Sequence, residues 1–292
     1  AIGGFAAGTD WTVGNYYSGT RYASDCQLAH FHYCDGQKYD PSEFIEQKNG
    51  VWIPKEADVS YGDAGFFLKF EQTGTSANAS GIGADSSGNG HHMTVVNYGA
   101  DDVLPDNPEN NFCTLNPLGK QSSGALSFGN LKAVITSGGN SGRIPGTWAV
   151  SSGKWYWEIR QSSSNRFGTG VFDVDRYEMT DEDFGTDAYE WGIITDDNTG
   201  AGNGAKRNNN STTNGYGGVA ADGHVIMVAL DVDNGAIWFG KQGTWYNKGT
   251  SDDSATVKGQ IEAGTTTNAA FTGVTGRLTP SFIRQTSKAT MI

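Results

Sequence analysis

The chain has 292 residues and a formal net charge of −12 at pH 7. That length allows a sizeable core, and the acidity disfavours nucleic acid and anionic membranes as partners. No apolar run reaches the roughly 18 residues of a membrane-spanning helix, so no membrane insertion is expected.

Glycine is abundant (42), proline scarce (7), and aromatic residues make up 12%. With short apolar runs among many Asn, Ser and Thr, this predicts a loop-rich all-β fold, and the aromatic content argues against disorder. The cysteines, Cys26, Cys34 and Cys113, are odd in number and read as small buried thiols. The chain begins at Ala1 rather than Met, which suggests a processed form or a fragment of a longer protein.

The first 35 residues read as two or three strands and a turn. Alternation places Leu28, His30, His32 and Cys34 on one face and Ala29, Phe31 and Tyr33 on the other. This stretch resembles the closing strands of a laminin-G or concanavalin-like sandwich. Asp40, Pro41, Ser42, Glu43 and Phe44 predict a one-turn helix, with Asp40 as cap and Pro41 at its first position. Asn49-Gly50 is a turn before a short strand over 51–54. The string from Leu28 to Phe70 is similar to the connecting region of bacteriophage and prophage structural proteins. Strands are predicted over 65–70 and 93–98, around the polar turn 85–90. An acidic loop over 101–111 follows, and 112–118 closes the run. These strands are expected to belong to the same sandwich as the rest of the chain.

A hairpin is predicted over 125–136, turning at Gly129-Asn130. A second joins 147–150 to 155–160 through Ser152-Gly153. Strands at 167–174 and 190–195 are separated by polar loops, 175–188 and 196–218, whose length points to function or mobility.

The clearest pattern lies over 225–247. An apolar run, Val225 to Leu230, leads through Asp231, Val232 and Asp233 to Asn234-Gly235. This pair predicts a tight type I′ turn. Ala236, Ile237, Trp238 and Phe239 return, and Gln242-Gly243 signals another turn before Thr244, Trp245 and Tyr246. The apolar run is continuous enough for a central strand. Gly153, Lys154, Trp155, Tyr156, Trp157 and Glu158 stand upstream, with Trp191-Gly192-Ile193 between. Phe271 and Leu278, Thr279, Pro280, Ser281, Phe282 follow. In this order, over residues 147–285, these motifs resemble a SPRY domain. Met227, where that family often has Gly, and Gln242, in place of its usual Asn, depart from the pattern.

Several residues invite chemistry. His30 and His32 with Cys26 and Cys34, and His91-His92, suggest a metal, but the spacing is not that of a structural zinc site. Asp231, Asp233, Asn234 and Gly235 echo a calcium loop whose twelfth position is Gln242, so the bidentate acid is missing and a hairpin is favoured. The acidic groups Asp181, Glu182, Asp183 and Asp187, and Asp196 and Asp197, read as solvated loops. No nucleophile elbow, phosphate-cradling loop or fixed carboxylate pair occurs, so no enzyme, metal or cofactor is expected. Asn78-Ala79-Ser80 and Asn209-Asn210-Ser211 are sequons.

What remains is binding. The resemblance implies partner recognition by loops at one end of a sandwich, here 175–188, 198–218 and 244–253. Their candidate contact residues are Tyr177, Tyr189, Asn208, Asn210, Tyr216, Trp245 and Tyr246. The expectation is an all-β antiparallel β-sandwich of SPRY or concanavalin type over 61–292, preceded by a β-rich N-terminal segment over 1–60. Its role is that of a non-catalytic bacteriophage virion protein: a tail fibre, spike or capsid decoration. It would bind other virion subunits or a host-surface glycan or protein, as a homo-oligomer. A purely architectural subunit and a carbohydrate-active enzyme are the rival readings.

Overall fold

The computed structural model describes residues 12–13, 15–17, 21–23, 28–48, 51–99, 102–104, 112–119, 124–135, 143–161, 167–176, 184–195, 204–218, 220–247, 251–252, 254–284 and 289–290. The chain forms two compact units, Ala1–Asn110 and Asn111–Ile292.

In the first unit, β1 (Asn15–Tyr17) pairs with β2 (Arg21–Ala23). β3 (Phe31–Tyr33) precedes a single 3-10 turn at Pro41–Glu43. β4 (Ile45–Lys48) and β5 (Val51–Pro54) form a hairpin, and β6 (Phe66–Leu68) pairs back onto β3. Pro41 opens the turn as expected, but the Asp40 side chain makes no capping hydrogen bond. Alternation along 28–34 stops at His30, whose φ is +53°. His32 lies flat on Phe67 at 4.0 Å between ring centres, and its Nδ1 shares a 2.8 Å hydrogen bond with the Tyr61 hydroxyl.

The buried Asp85 carboxylate accepts the N–H groups of Phe67, Ser87 and His91 at 2.8–2.9 Å, which fixes the polar turn. The pairing of β6 with β3 explains why the compact units meet at residues 110 and 111 rather than 60 and 61. Residues 61–104 therefore belong with the N-terminal strands and not to the sandwich, and 93–98 carries no strand.

The second unit opens with the hairpin β7 (Gly124–Ser127) and β8 (Lys132–Ile135), then β9 (Ile144–Pro145). β10 (Lys154–Arg160), β11 (Phe167–Asp173) and β12 (Glu190–Thr195) follow, and then β13 (Ala205–Asn208) and β14 (Ser211–Asn214). β15 (Val225–Asp231), β16 (Ala236–Lys241) and β17 (Thr244–Asn247) make the apolar meander. β18 (Ser251–Asp252), the helix α1 (Ser254–Ala263), β19 (Phe271–Thr272), β20 (Leu278–Arg284) and β21 (Ala289–Thr290) complete it.

One six-stranded sheet runs β10-β15-β16-β17-β18, with β19 on β16. The other runs β14-β13-β12-β11-β20-β9. Every strand pair is antiparallel. A third sheet, of three strands, runs β21-β8-β7.

Strand periodicity explains the layering. Ile226, Val228 and Leu230 of β15 join Ile237 and Phe239 of β16 in one core with Phe167, Val171, Trp191, Ile193, Leu278 and Phe282 of the other sheet. The chain is thus an all-β antiparallel sandwich in this unit. The alternate residues Met227 and Ala229 point the other way. They pack with Trp238, Trp245 and the helix residues Val257 and Ile261. β15 is apolar on both faces because both are covered, and it lies between β10 and β16.

The turns differ from expectation in kind. β15 and β16 are joined by the four residues 232–235, since Asp231 pairs with Ala236. Only Gly235 there has positive φ, and its N–H donates to the Val232 carbonyl at 3.2 Å. The type I′ conformation occurs instead at Gln242-Gly243, φ +52° and +80°. Val150 bridges to Leu278 and β10 pairs with β15, so residues 147–160 do not form the expected hairpin.

Candidate functional site

Three of the sequence candidates, Tyr189, Asn208 and Asn210, gather at one end of the β11–β12–β13 sheet. Here the turn after β11, the segment entering β12, the β13–β14 turn and the approach to β20 are laced together. The Asp173 N–H donates to the Tyr189 carbonyl at 3.0 Å, and the Val174 N–H to the Arg277 carbonyl at 2.9 Å. Asp173 Oδ1 accepts the N–H groups of Asp175 and Arg277, each at 3.2 Å. Asn209 and Asn210, both with positive φ, donate their N–H groups to the carbonyls of Asp187 and Gly185 at 2.9 and 3.0 Å. This Asn-Asn tip is a two-residue hairpin turn inside what reads in sequence as a featureless polar loop.

The frame rests on a buried ion pair. Arg143 and Glu190 side chains are both fully buried and hydrogen-bonded, with a second contact from Nη2 to Oε2 at 3.4 Å. Glu190 Oε2 also accepts the Gly185 N–H at 2.8 Å. The Arg143 guanidinium lies 5.4 Å from the centre of the Phe184 ring. Phe184 in turn fits against Gly192, where a Cβ would meet the ring at 2.3 Å. Burial pushes the Glu190 carboxyl above the usual carboxylate range, while the Arg143 charge and the Gly185 N–H pull it down.

On this frame Tyr189 is 38% exposed. Arg176 stacks over its ring at 4.9 Å and also approaches Asp173 Oδ2 at 3.5 Å. Arg277 holds Asp175 in a bidentate pair, at 2.5 and 3.2 Å, and that pair lowers the Asp175 pKa and raises that of Arg277. Asn208 is not a free contact group: its Nδ2 donates to the Ala188 and Glu190 carbonyls at 3.2 and 2.7 Å. Asn210 is exposed at the tip.

Three candidates are corrected. Tyr216, Trp245 and Tyr246 are 1%, 7% and 4% exposed and belong to the interior. The Tyr216 and Tyr246 rings meet edge to face at 5.7 Å, in space left by Gly217, where a Cβ would strike the Tyr246 ring at 2.3 Å. The β13–β14 hairpin and β17 carry these rings inward, so they pack rather than present. Tyr177, Asp181, Glu182, Asp183, Asp196, Asp197 and Cys26 lie outside the described residues.

The candidate metal groups are otherwise engaged. Asp231 is buried and accepts the Asn234 N–H and Nδ2 at 3.0 and 2.8 Å, and Asp233 accepts the Gly153 N–H at 2.9 Å. His92 Nδ1 accepts the Asp85 N–H at 3.0 Å. Among the described residues, no three His, Cys, Asp or Glu side chains gather as metal ligands.

A second feature escaped the sequence reading. On the outer face of the other sheet a groove of about 170 Å³ lies beside the edge strand β10 and α1. Tyr156, 55% exposed, stands directly opposite Ala229, which stands opposite Trp238. The small Ala229 between two large rings is what makes the depression. Trp245 meets Tyr156 edge to face at 6.1 Å, and Ile261 of α1 closes the far side. Lys154 Nζ ties β10 to the end of α1, donating to the Glu262 carbonyl at 3.2 Å. Sequence offered only one hint of this cover: Val257 and Ile261 are spaced by four residues, and Gly259 between them obscures a helix.

No family model matches the chain, and no curated protein matches it. Among solved structures, the chain is similar to the TRIM65 PSpry domain, at 14% identity and a TM-score of 0.44, covering 62% of this chain and 91% of that one. It is similar to the SPRY domain of human HERC1, at 17% identity and a TM-score of 0.42, covering 61% and 93%. A third similarity is to stonustoxin, at 21% identity and a TM-score of 0.41, covering 61% and 26%.

Proposed function

We propose that the chain is a non-catalytic binding module of a bacteriophage particle, displayed on the virion surface as a homo-oligomer. It engages a host-surface molecule or a neighbouring virion subunit through the rim around Tyr189. The observation that carries the binding reading is the rim itself. An exposed tyrosine and two arginines are held on a hydrogen-bonded frame, and Tyr and Arg are the side chains that dominate interface energetics. The particle assignment rests on the resemblance of residues 28–70 to phage connecting regions. The non-catalytic reading is supported by the buried acids: Asp85, Asp173, Glu190 and Asp231 are each consumed by turn hydrogen bonds or an ion pair.

The test is binding of the fluorescently labelled, folded oligomer to bacterial cells in competition with intact phage. Saturable binding that blocks adsorption, weakened about tenfold or more by Tyr189→Ala with Arg176→Ala, is expected. Absence of binding by the folded oligomer refutes receptor recognition and leaves the architectural role.

A further inference from the structure

We infer that the outer edge of β10 is the interface of this chain with a second copy of itself, in which two β10 strands pair antiparallel about a two-fold axis at Tyr156. The inference gives the homo-oligomer proposed above an interface, and it rests on that part of the reading, not on the Tyr189 rim.

The first observation is an open edge. β10 ends its sheet: its seven residues, Lys154–Arg160, pair with β15 on one side and, among the described residues, share no ladder on the other. The two-residue β21 comes near β10 without joining it. The register fixes which backbone groups face outward. The Val232 N–H donates to the Gly153 carbonyl at 3.0 Å, and the Gln161 N–H to the His224 carbonyl at 2.9 Å. Residues 153 and 161 therefore both bond towards β15, and so do the odd positions between them. The N–H and C=O groups of Lys154, Tyr156, Glu158 and Arg160 point away from the sheet, as a template for one more antiparallel strand.

The second observation selects the strand that fits. Edge strands are commonly guarded by charges that repel a newcomer. Those of β10 match a copy of β10 itself in one register. With the axis on Tyr156, Lys154 of each copy stands opposite Glu158 of the other, in the hydrogen-bonded phase that the outward groups require. An axis on Lys154 or Glu158 sets like charges face to face, and one on Trp157 opposes Lys154 to Arg160. Lys154 stays 49% exposed despite its contacts with Asp231 and the end of α1, and Glu158 is exposed. Tyr156, 55% exposed, shares their face, and pairing covers its ring with its own copy beside the apolar groove. An isologous contact of this kind closes on itself as a dimer.

The experiment is sedimentation equilibrium of the full chain and its variants, with near-UV circular dichroism to check that each is folded. The parent self-associates. Lys154→Glu and Glu158→Lys each set like charges opposite one another at both ends of the pairing and weaken association about tenfold or more. An equimolar mixture of those two variants restores it, because each chain then faces the charges it lacks. Tyr156→Pro removes an outward N–H, leaves the ladder to β15 intact and abolishes association, while Tyr189→Ala leaves it unchanged. A parent that stays monomeric overturns the inference and the homo-oligomer with it. An oligomer that none of the three β10 substitutions weakens overturns the inference alone and leaves the homo-oligomer standing. A mixture that fails to restore association when both single variants have lost it overturns the two-fold register, and with it the inference.

Discussion

Replacing Glu190 by alanine should be among the most damaging single changes in the second unit. The substitution strands the fully buried Arg143 guanidinium, and removing one partner of a buried pair costs about 3–5 kcal/mol. The Gly185 N–H loses its 2.8 Å acceptor as well, for about 1 kcal/mol more. Taking about 4 kcal/mol and a urea slope of about 2 kcal/mol per molar, the midpoint should fall by about 2 M. Glu190→Gln keeps the side-chain volume and one acceptor oxygen but removes the charge and turns the other oxygen into an NH2 donor, so its loss should be smaller than that of Glu190→Ala but still large.

The decisive variant is the double replacement Arg143→Met with Glu190→Leu. It removes both charges together and should return to within about 1 kcal/mol of the parent. Urea unfolding of the parent, Arg143→Met, Glu190→Leu and the double variant, followed by near-UV circular dichroism, gives the four corners of the cycle. A Glu190→Ala loss below about 1 kcal/mol, or a double variant that costs the sum of the singles, would refute the reasoning.

Other outcomes follow from the same geometry. Gly192→Ala puts a methyl 2.3 Å from the Phe184 ring and 2.7 Å from the Thr169 carbonyl. It should cost about 1–3 kcal/mol and lower the Tm by several degrees in calorimetry. Burial first, and the charge of His30 second, push the His32 pKa down to about 4 from 6.5. The unfolded chain then takes up the proton at higher pH than the folded one. Stability should be flat above about pH 7, fall as pH drops from 6.5 towards 4, and level off below. The ring's partial solvent access reduces the full shift to roughly 1–3 kcal/mol, and His32→Phe should flatten this part of the pH profile of urea midpoints. Val257→Ala, at a fully buried position under α1, should cost about 1–3 kcal/mol and expose Trp245, seen as a red shift of its emission.

Much of the sandwich was legible because its signals are local. The continuous apolar run Val225 to Leu230 marks a central strand, and the structure covers it on both faces. Gly129-Asn130 and Gln242-Gly243 are turns in both sequence and structure. Other features depend on what lies across space. Asn234-Gly235 carries the best type I′ pair in the chain, yet Asp231 captures Asn234 through two hydrogen bonds and widens the loop.

Tyr216, Trp245 and Tyr246 stand in polar, turn-rich sequence. Nothing local shows that Gly217 leaves room for one ring beside another. The ion pair under the rim joins residues 47 positions apart, which no local window reaches. Of the contact residues named from sequence, Tyr189 and Asn210 stand exposed on the rim and Asn208 serves to hold it together.

The placement of Phe184 against Gly192 separates what must stay fixed from what is free to vary. The anchor uses a ring wedged over a strand interior and a salt pair sealed from water. The outward groups Arg176, Tyr189 and Asn210 take no part in it. Substitutions at Arg176 and Tyr189 alter the surface at little cost to folding, whereas Asn210, held at φ +55°, accepts few residues besides Gly and Asp.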